Sequence, residues 1–226
     1  MKNTVIFDLD GTLLNTLDDL AAAVDFALGK LGFKGLDRSV VRKFVGNGIR
    51  KLTDRALAFS VSNGKTSELR EENAQSEKCY ELCLEYYKAH GAEKTRLYDG
   101  VSELLTELKS AGIKTAVVTN KVDEAVKELR GLFFPSIDFA VGISEAIRPK
   151  PSCDGVNAAL AALRADPRDA VYVGDGETDI ATAKNAGLPV VAVSWGFRDK
   201  AFLQTLEPDY IIDAPSELPA ILRAIE

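Results

Sequence analysis

The chain has 226 residues, 46% of them hydrophobic and 27% charged, so it can bury a sizeable core without disulfide or metal staples. A net charge of -6 argues against nucleic acid or an anionic membrane surface as the main partner, while a cleft of opposite local charge can still take a small anionic substrate. The three cysteines are an odd count with no secretory leader before them, which points to reduced thiols and a cytoplasmic protein, and no apolar run approaches the ~18 residues of a membrane span.

Met1-Lys2-Asn3 runs straight into Thr4 to Leu9, a short β-branched and apolar stretch without alternation, which predicts a strand buried on both faces. The character then changes. Thr16 with Asp19 has the spacing of a capping box, and "LDDLAAAVDFALGKL" carries apolar residues at helical spacing. Asp37 is placed to cap a short helix through Phe44. "VGNG" breaks that helix, and "IRKLTDRALAF" resumes the helical period. "SVSNGKTS" is a polar turn, and "ELREENAQSEKCYELCLEYYKAH" reads as one long charged helix. Cys79 and Cys83 sit four apart in it as partly buried residues. Zinc would need further ligands, and the only histidine is His90.

After Asp99-Gly100 the chain alternates. "VSELLTELKSAG" is a helix ending at Gly112, "IKTAVVTN" a strand, "KVDEAVKELRGL" a helix and "IDFAVGI" a strand. The helix "DGVNAALAALRA", the strand "DAVYVGD", the helix "ETDIATAKNAG" and the strand "LPVVAVSWG" follow, and then "KAFLQTL", "DYIID" and "SELPAILRAI". The alternation predicts an α/β fold, a doubly wound parallel sheet, interrupted after its first strand by an all-helical insert. The expected division is residues 1–15 and 91–226 for the core and 16–90 for the insert.

Open α/β sheets bind ligands beyond the carboxyl ends of their strands. Those ends carry Asp8 and Asp10, then Thr119 and Asn120, then Asp175 with Asp179, while Lys150 precedes a helix. Two carboxylates one residue apart repel each other, and burial worsens the repulsion. A hard divalent cation with oxygen ligands, Mg²⁺, compensates them best and draws in a phosphate. Thr119 and the backbone N–H groups near Gly11, Thr12 and Asn120 suit phosphate oxygens, and Lys150 can balance the acids and hold phosphate charge. Three other motifs fail. "VGDGETD" lacks the last glycine of a dinucleotide fingerprint, "DGETDIATAKNA" lacks the sixth-position Gly and twelfth-position Glu of an EF-hand, and "VGNGIRKL" lacks the Walker A gap.

Asp8-Leu9-Asp10-Gly11-Thr12, Thr119-Asn120, Lys150, and Gly174-Asp175 with Asp179 resemble, in order, the four motifs of the haloacid dehalogenase-like superfamily. The similarity spans the chain, including a helical cap after the first motif. "FVGNGIRKLTDRAL" and "VYVGDGETDIATAKNAG" look like its phosphoglycolate phosphatase branch, with Asn15-Thr16 where Asp-Ser is common. The resemblance implies a Rossmann-like core with Asp8 as nucleophile and Asp10 as general acid and base. It implies Mg²⁺ on Asp8, the Asp10 carbonyl and Asp175, with Asp179 supporting. The expected activity is hydrolysis of a small phosphorylated metabolite, with 2-phosphoglycolate the leading substrate. A pyrophosphatase, a sugar-phosphate phosphatase, a phosphomutase and a non-catalytic phosphometabolite sensor are the rivals. A dehalogenase is disfavoured because Asp10 is present, and a sensor because it has no need of that acid. In the cap, Asn47, Gly48 and Arg50 lie where a helix start and a guanidinium suit a carboxylate. A monomer or homodimer is expected.

Overall fold

The structure, a computed structural model, describes residues 2–68 and 73–225. It divides into two compact units, one from Met1–Asn15 and Leu97–Glu226, the other from Thr16–Arg96. The strands and helices run in chain order as β1 (Thr4–Phe7), β2 (Leu14–Asn15), α1 (Leu17–Lys30), α2 (Arg38–Phe44), α3 (Gly48–Val61) and α4 (Ala74–His90). Then come β3 (Arg96–Leu97), α5 (Val101–Ser110), β4 (Lys114–Val122), α6 (Asp123–Phe133), β5 (Phe139–Ile143) and α7 (Asp154–Leu163). The chain ends with β6 (Ala170–Gly174), α8 (Glu177–Ala186), β7 (Val190–Val193), α9 (Lys200–Thr205), β8 (Tyr210–Ile212) and α10 (Leu218–Ala224).

The first unit holds a six-stranded parallel sheet in the order β5-β4-β1-β6-β7-β8. Side chains alternate across it. Val5, Phe7, Val117, Val171, Val173 and Val191 join a core with Leu104 and Leu108 of α5, Val126 of α6 and Leu222 of α10. Ile6, Ala116, Val118, Tyr172 and Val190 face the other way, onto Val156 and Ala159 of α7, Ile180 of α8 and Leu203 of α9. Both faces are therefore covered, and the strands read as unbroken apolar runs rather than alternating ones. After β5 the chain returns to β6 beside β1, so the winding reverses between β1 and β6. That reversal is where an open α/β sheet leaves its crevice.

Among the strand ends that differ from the expected ones, two bear on the site. β1 stops at Phe7 because the Leu9 carbonyl accepts the N–H groups of Thr12, Leu13 and Leu14 at 3.3, 3.0 and 2.9 Å, turning the chain just beyond Asp8. β4 runs on to Val122, so Lys121 and Val122 are strand residues rather than the start of α6. The β4–β5 register shifts between Val118 and Val122, a bulge that regains pairing at Val122 with Ile143.

The second unit is helical among its described residues apart from Arg96. Ala23, Val24, Ala27 and Leu28 of α1 are buried, as are Leu52, Ala56 and Leu57 of α3 and Cys79 and Cys83 of α4. Both thiols are free, and burial pushes the Cys79 thiol up to about 11. The long helix starts at Ala74, not Glu68. Asn73 accepts from Gln75 N and Ser76 N, and Ser76 Oγ accepts from Asn73 N, a reciprocal cap; residues 69–72 of the expected helix lie outside the described ones. The capping box at Thr16 is not formed, since Thr16 makes no side-chain cap bond. Asp19 instead accepts from Lys94 N, Thr95 N and Thr95 Oγ1. Those bonds tie residues 94 and 95 to α1, so this unit runs to Arg96 and not to His90.

Candidate active site

The strand ends at the reversal bring the acids of β1 and β6 together. Asp8 follows β1, and its N–H donates to Val173 O of β6 at 2.8 Å. Asp175 follows β6. Asp179 lies in the first turn of α8, where Oδ2 accepts from Asp175 N at 3.1 Å and Gly176 N at 3.0 Å, holding the loop to the helix start. One oxygen each of Asp8, Asp175 and Asp179 lies within 4.8 Å of the others, and all three residues are buried.

A single lysine stands among them. Lys150 is buried, with Nζ 2.6 Å from Asp8 Oδ1, 2.6 Å from Asp179 Oδ1 and 3.3 Å from the Tyr172 hydroxyl. Its main chain is fixed by Asn120, whose Oδ1 accepts from Lys150 N at 2.7 Å and whose Nδ2 donates to Lys150 O at 3.4 Å. Tyr172 donates upward from β6 within 3.3 Å of both Val118 O and Asp179 Oδ1. Asp175 has its own cradle: Oδ2 accepts from Phe197 N at 2.7 Å, and Oδ1 from the Thr12 hydroxyl at 3.3 Å. Gly11 and Gly196 back onto this carboxylate so closely that a Cβ on either would overlap it. The indole of Trp195 donates to Thr12 O at 3.0 Å, and the side chain packs against the core.

The electrostatics are out of balance. Burial, then the charge of Asp179, pushes the Asp8 carboxyl up to about 7 despite Lys150 beside it. Burial and the charges of Asp179 and Asp8 hold Asp175 well above the usual carboxylate range, against the pull of the Phe197 N–H. Burial disfavours the Lys150 ammonium, but Asp179 and Asp8 outweigh it and raise its pKa. Three buried carboxylates around one ammonium thus call for further positive charge, and an all-oxygen donor set suits a hard divalent cation. The residues present fit Mg²⁺.

The remaining predicted residues fall as follows. Asp10 is partly buried, and its Oδ1 pairs with Lys121 Nζ at 3.0 Å. Thr119 is buried at the β4 bulge, and its Oγ1 accepts from Lys121 N at 3.3 Å. The N–H groups of Gly11 and Thr12, expected to meet phosphate, are used inside the turn, donating to Leu14 O at 2.9 Å and Leu9 O at 3.3 Å. Asn120 acts on Lys150, as described. Asn47, Gly48 and Arg50 belong to the helical unit, at the start of α3. Arg50 pairs there with Glu77 at 2.6 Å and Asp54 at 3.5 Å and lies over the Tyr80 ring, so the expected carboxylate fork is engaged within its own unit. Lys121, Tyr172 and the Gly196-Phe197 loop were not foreseen. Only Lys121 had a signal, as a charge directly after Thr-Asn at a strand end.

A haloacid dehalogenase-like hydrolase profile matches residues 5–193. A phosphoglycolate phosphatase of Neisseria meningitidis is 38% identical over 223 residues, covering 95% of this chain and 91% of that protein. The pyrophosphatase PpaX of Bacillus mycoides is 32% identical over 227 residues, covering 99% of this chain and 98% of that one. A crystal structure from Lactobacillus delbrueckii subsp. bulgaricus, assigned as a phosphoglycolate phosphatase, is 34% identical with a TM-score of 0.91, covering 100% and 99% of the two chains.

Proposed function

The chain belongs to the haloacid dehalogenase-like hydrolase family and is a phosphoric monoester hydrolase, and from that premise we propose that it hydrolyses 2-phosphoglycolate with Asp8 as the nucleophile. The observation that carries the reading is the clustering of Asp8, Asp175 and Asp179 around Lys150 at the sheet's reversal. Phosphate monoesters hydrolyse very slowly unaided, so positioning and charge neutralisation must supply most of the acceleration.

Lys150 holds Asp8 by Oδ1, which fixes the orientation of the carboxylate. An Asp8 oxygen attacks phosphorus while the bond from phosphorus to the ester oxygen breaks. The electron pair stays on the ester oxygen, which takes a proton from Asp10 and leaves as the alcohol. Asp10 then takes a proton from water, the water oxygen attacks phosphorus in the aspartyl-phosphate, and phosphate departs with Asp8 restored. Lys150 and Thr119 hold the phosphoryl oxygens through both steps. Asp8, the Asp10 carbonyl, Asp175 and Asp179 would hold Mg²⁺, whose charge offsets the carboxylates and the transferred phosphoryl group.

The likeness to PpaX favours a second reading, cleavage of inorganic pyrophosphate at the same site. Phosphate release decides between them. The first reading expects kcat/KM for 2-phosphoglycolate above that for pyrophosphate and glucose 6-phosphate, with activity lost in EDTA and restored by Mg²⁺. Preference for pyrophosphate would replace it with the second. No release from any of the three would remove the nucleophile assignment.

A further inference from the structure

Lys121 is a cation for which the steps above have no use. Its side chain is only 7% exposed, and Nζ lies 3.0 Å from Asp10 Oδ1. Its position is built: its N–H donates to Thr119 Oγ1, and the β4 bulge between Val118 and Val122 sets where residue 121 points. Asp123, two residues on, accepts Gly142 N at 2.9 Å and ties the bulged strand to β5. An ammonium this buried loses hydration and rotamer freedom, so its placement demands anionic partners.

The acid that protonates the ester oxygen must come within hydrogen-bond reach of it. Asp10 has that role in the reading above, and Lys121 touches the same carboxyl group. In the phosphate ester of a 2-hydroxy acid, the carboxylate sits on the carbon bonded to that ester oxygen. The Lys121 ammonium is therefore beside the place where such a carboxylate must lie, whereas the ester of a neutral alcohol offers it nothing. Arg50, the candidate from sequence, is engaged by Glu77 and Asp54 in the helical unit.

We propose that Lys121 is the specificity-determining residue: its ammonium bridges Asp10 and the substrate's α-carboxylate, and selects phosphate esters of 2-hydroxy acids over esters of neutral alcohols. The proposal rests on the phosphatase reading above, with Asp10 at the leaving group.

The test compares Lys121→Met and Lys121→Arg with the unaltered protein on 2-phosphoglycolate and ethyl phosphate in Mg²⁺. Thermal melting verifies folding, and Lys121→Gln substitutes for a Met variant that does not fold. The expected result is that Lys121→Met narrows the kcat/KM preference for 2-phosphoglycolate by roughly ten- to a hundredfold, the range for one charged hydrogen bond, and that Lys121→Arg restores most of it. Calorimetry with two phosphonates that cannot be hydrolysed adds a readout independent of turnover. Lys121→Met should weaken 3-phosphonopropionate and leave propylphosphonate unchanged. Equal losses on both esters, with the two phosphonates weakened alike or not at all, would show that Lys121 reads no carboxylate, and would overturn the proposal. So would an unaltered protein without preference for the carboxylate compounds. If neither ester is hydrolysed, the phosphatase reading falls, and the phosphonate comparison still decides whether Lys121 reads a carboxylate.

Discussion

Asn120 and Lys150 lie thirty positions apart in sequence, yet the side-chain amide of Asn120 meets both main-chain polar groups of Lys150, accepting from its N–H at 2.7 Å and donating to its C=O at 3.4 Å. The lysine that separates Asp8 from Asp179 is thus aimed from behind by a residue of β4. Asn120 does not need to touch phosphate to matter.

Asn120→Ala should therefore lower turnover without removing any charge from the site. It leaves the Lys150 N–H buried without its acceptor and frees the loop to shift by a fraction of an ångström. A misplacement of that order lowers kcat by about ten- to a hundredfold, with a smaller change in KM. Steady-state kinetics on the best substrate checks this. A KM rise with unchanged kcat would assign Asn120 to substrate binding instead.

Asp8→Asn should abolish turnover, by about a thousandfold or more, because an amide is a poor nucleophile. It should also change stability, and the sign is defined. Burial and the charge of Asp179 push the Asp8 carboxyl up to about 7 in the folded chain, against 3.8 unperturbed. Between those values the folded state binds more protons than the unfolded one, so stability falls as pH rises. In EDTA, the melting temperature of the unaltered protein should drop between pH 5.5 and 8, and that of Asp8→Asn should drop less. Mg²⁺ should raise the melting temperature more at pH 8 than at pH 5.5. Parallel pH curves for the two proteins in EDTA would contradict the imbalance of charge.

That the acids would lie together was legible from where they stand in the chain. Asp8 and Asp175 end apolar strands, and a parallel sheet directs such ends to one edge whatever the packing details. Lys121 and Tyr172 were harder to read. A tyrosine in "VYV" reads as core until Val118 and Asp179 are known to flank its hydroxyl. Lys121 reads as the first residue of a helix unless the bulge in β4 is known, and a bulge depends on the partner strand. Thr16 and Asp19 mislead for the same reason. Their spacing is a local signal, but the carboxylate of Asp19 finds better donors 75 and 76 positions away.

Gly196→Ala should weaken metal binding more than it weakens the fold. Gly196 packs against Asp175 Cβ, Asp175 Oδ2 and the Gly11 carbonyl, and an added methyl overlaps all three. The loop must retreat, which pulls the Phe197 N–H away from Asp175 and turns the carboxylate from Asp8 and Asp179. Mg²⁺ affinity, measured by calorimetry, should fall about tenfold or more, as for lost supporting contacts around a metal ligand. Affinity unchanged within twofold would mean that the loop yields without moving Asp175.

Asp19→Ala tests the anchor of the helical unit. Asp19 is 4% exposed, and its carboxylate accepts Lys94 N at both oxygens, at 3.1 and 3.0 Å, and Thr95 N and Thr95 Oγ1 at 2.8 Å each. Alanine leaves two backbone donors with no acceptor, at about 1–3 kcal/mol each, so the helical unit should lose about 2–6 kcal/mol against urea. Asp19→Asn keeps one oxygen for Thr95 but turns an NH₂ group toward the Lys94 N–H, so it should fall between the two. Hydrogen exchange at Lys94 and Thr95 reads the anchor directly, and both amides should lose protection in Asp19→Ala before the interior of α1 does. Unchanged exchange at these amides together with a loss below about 1 kcal/mol would mean that the segment is held by packing, and that the carboxylate only accompanies it.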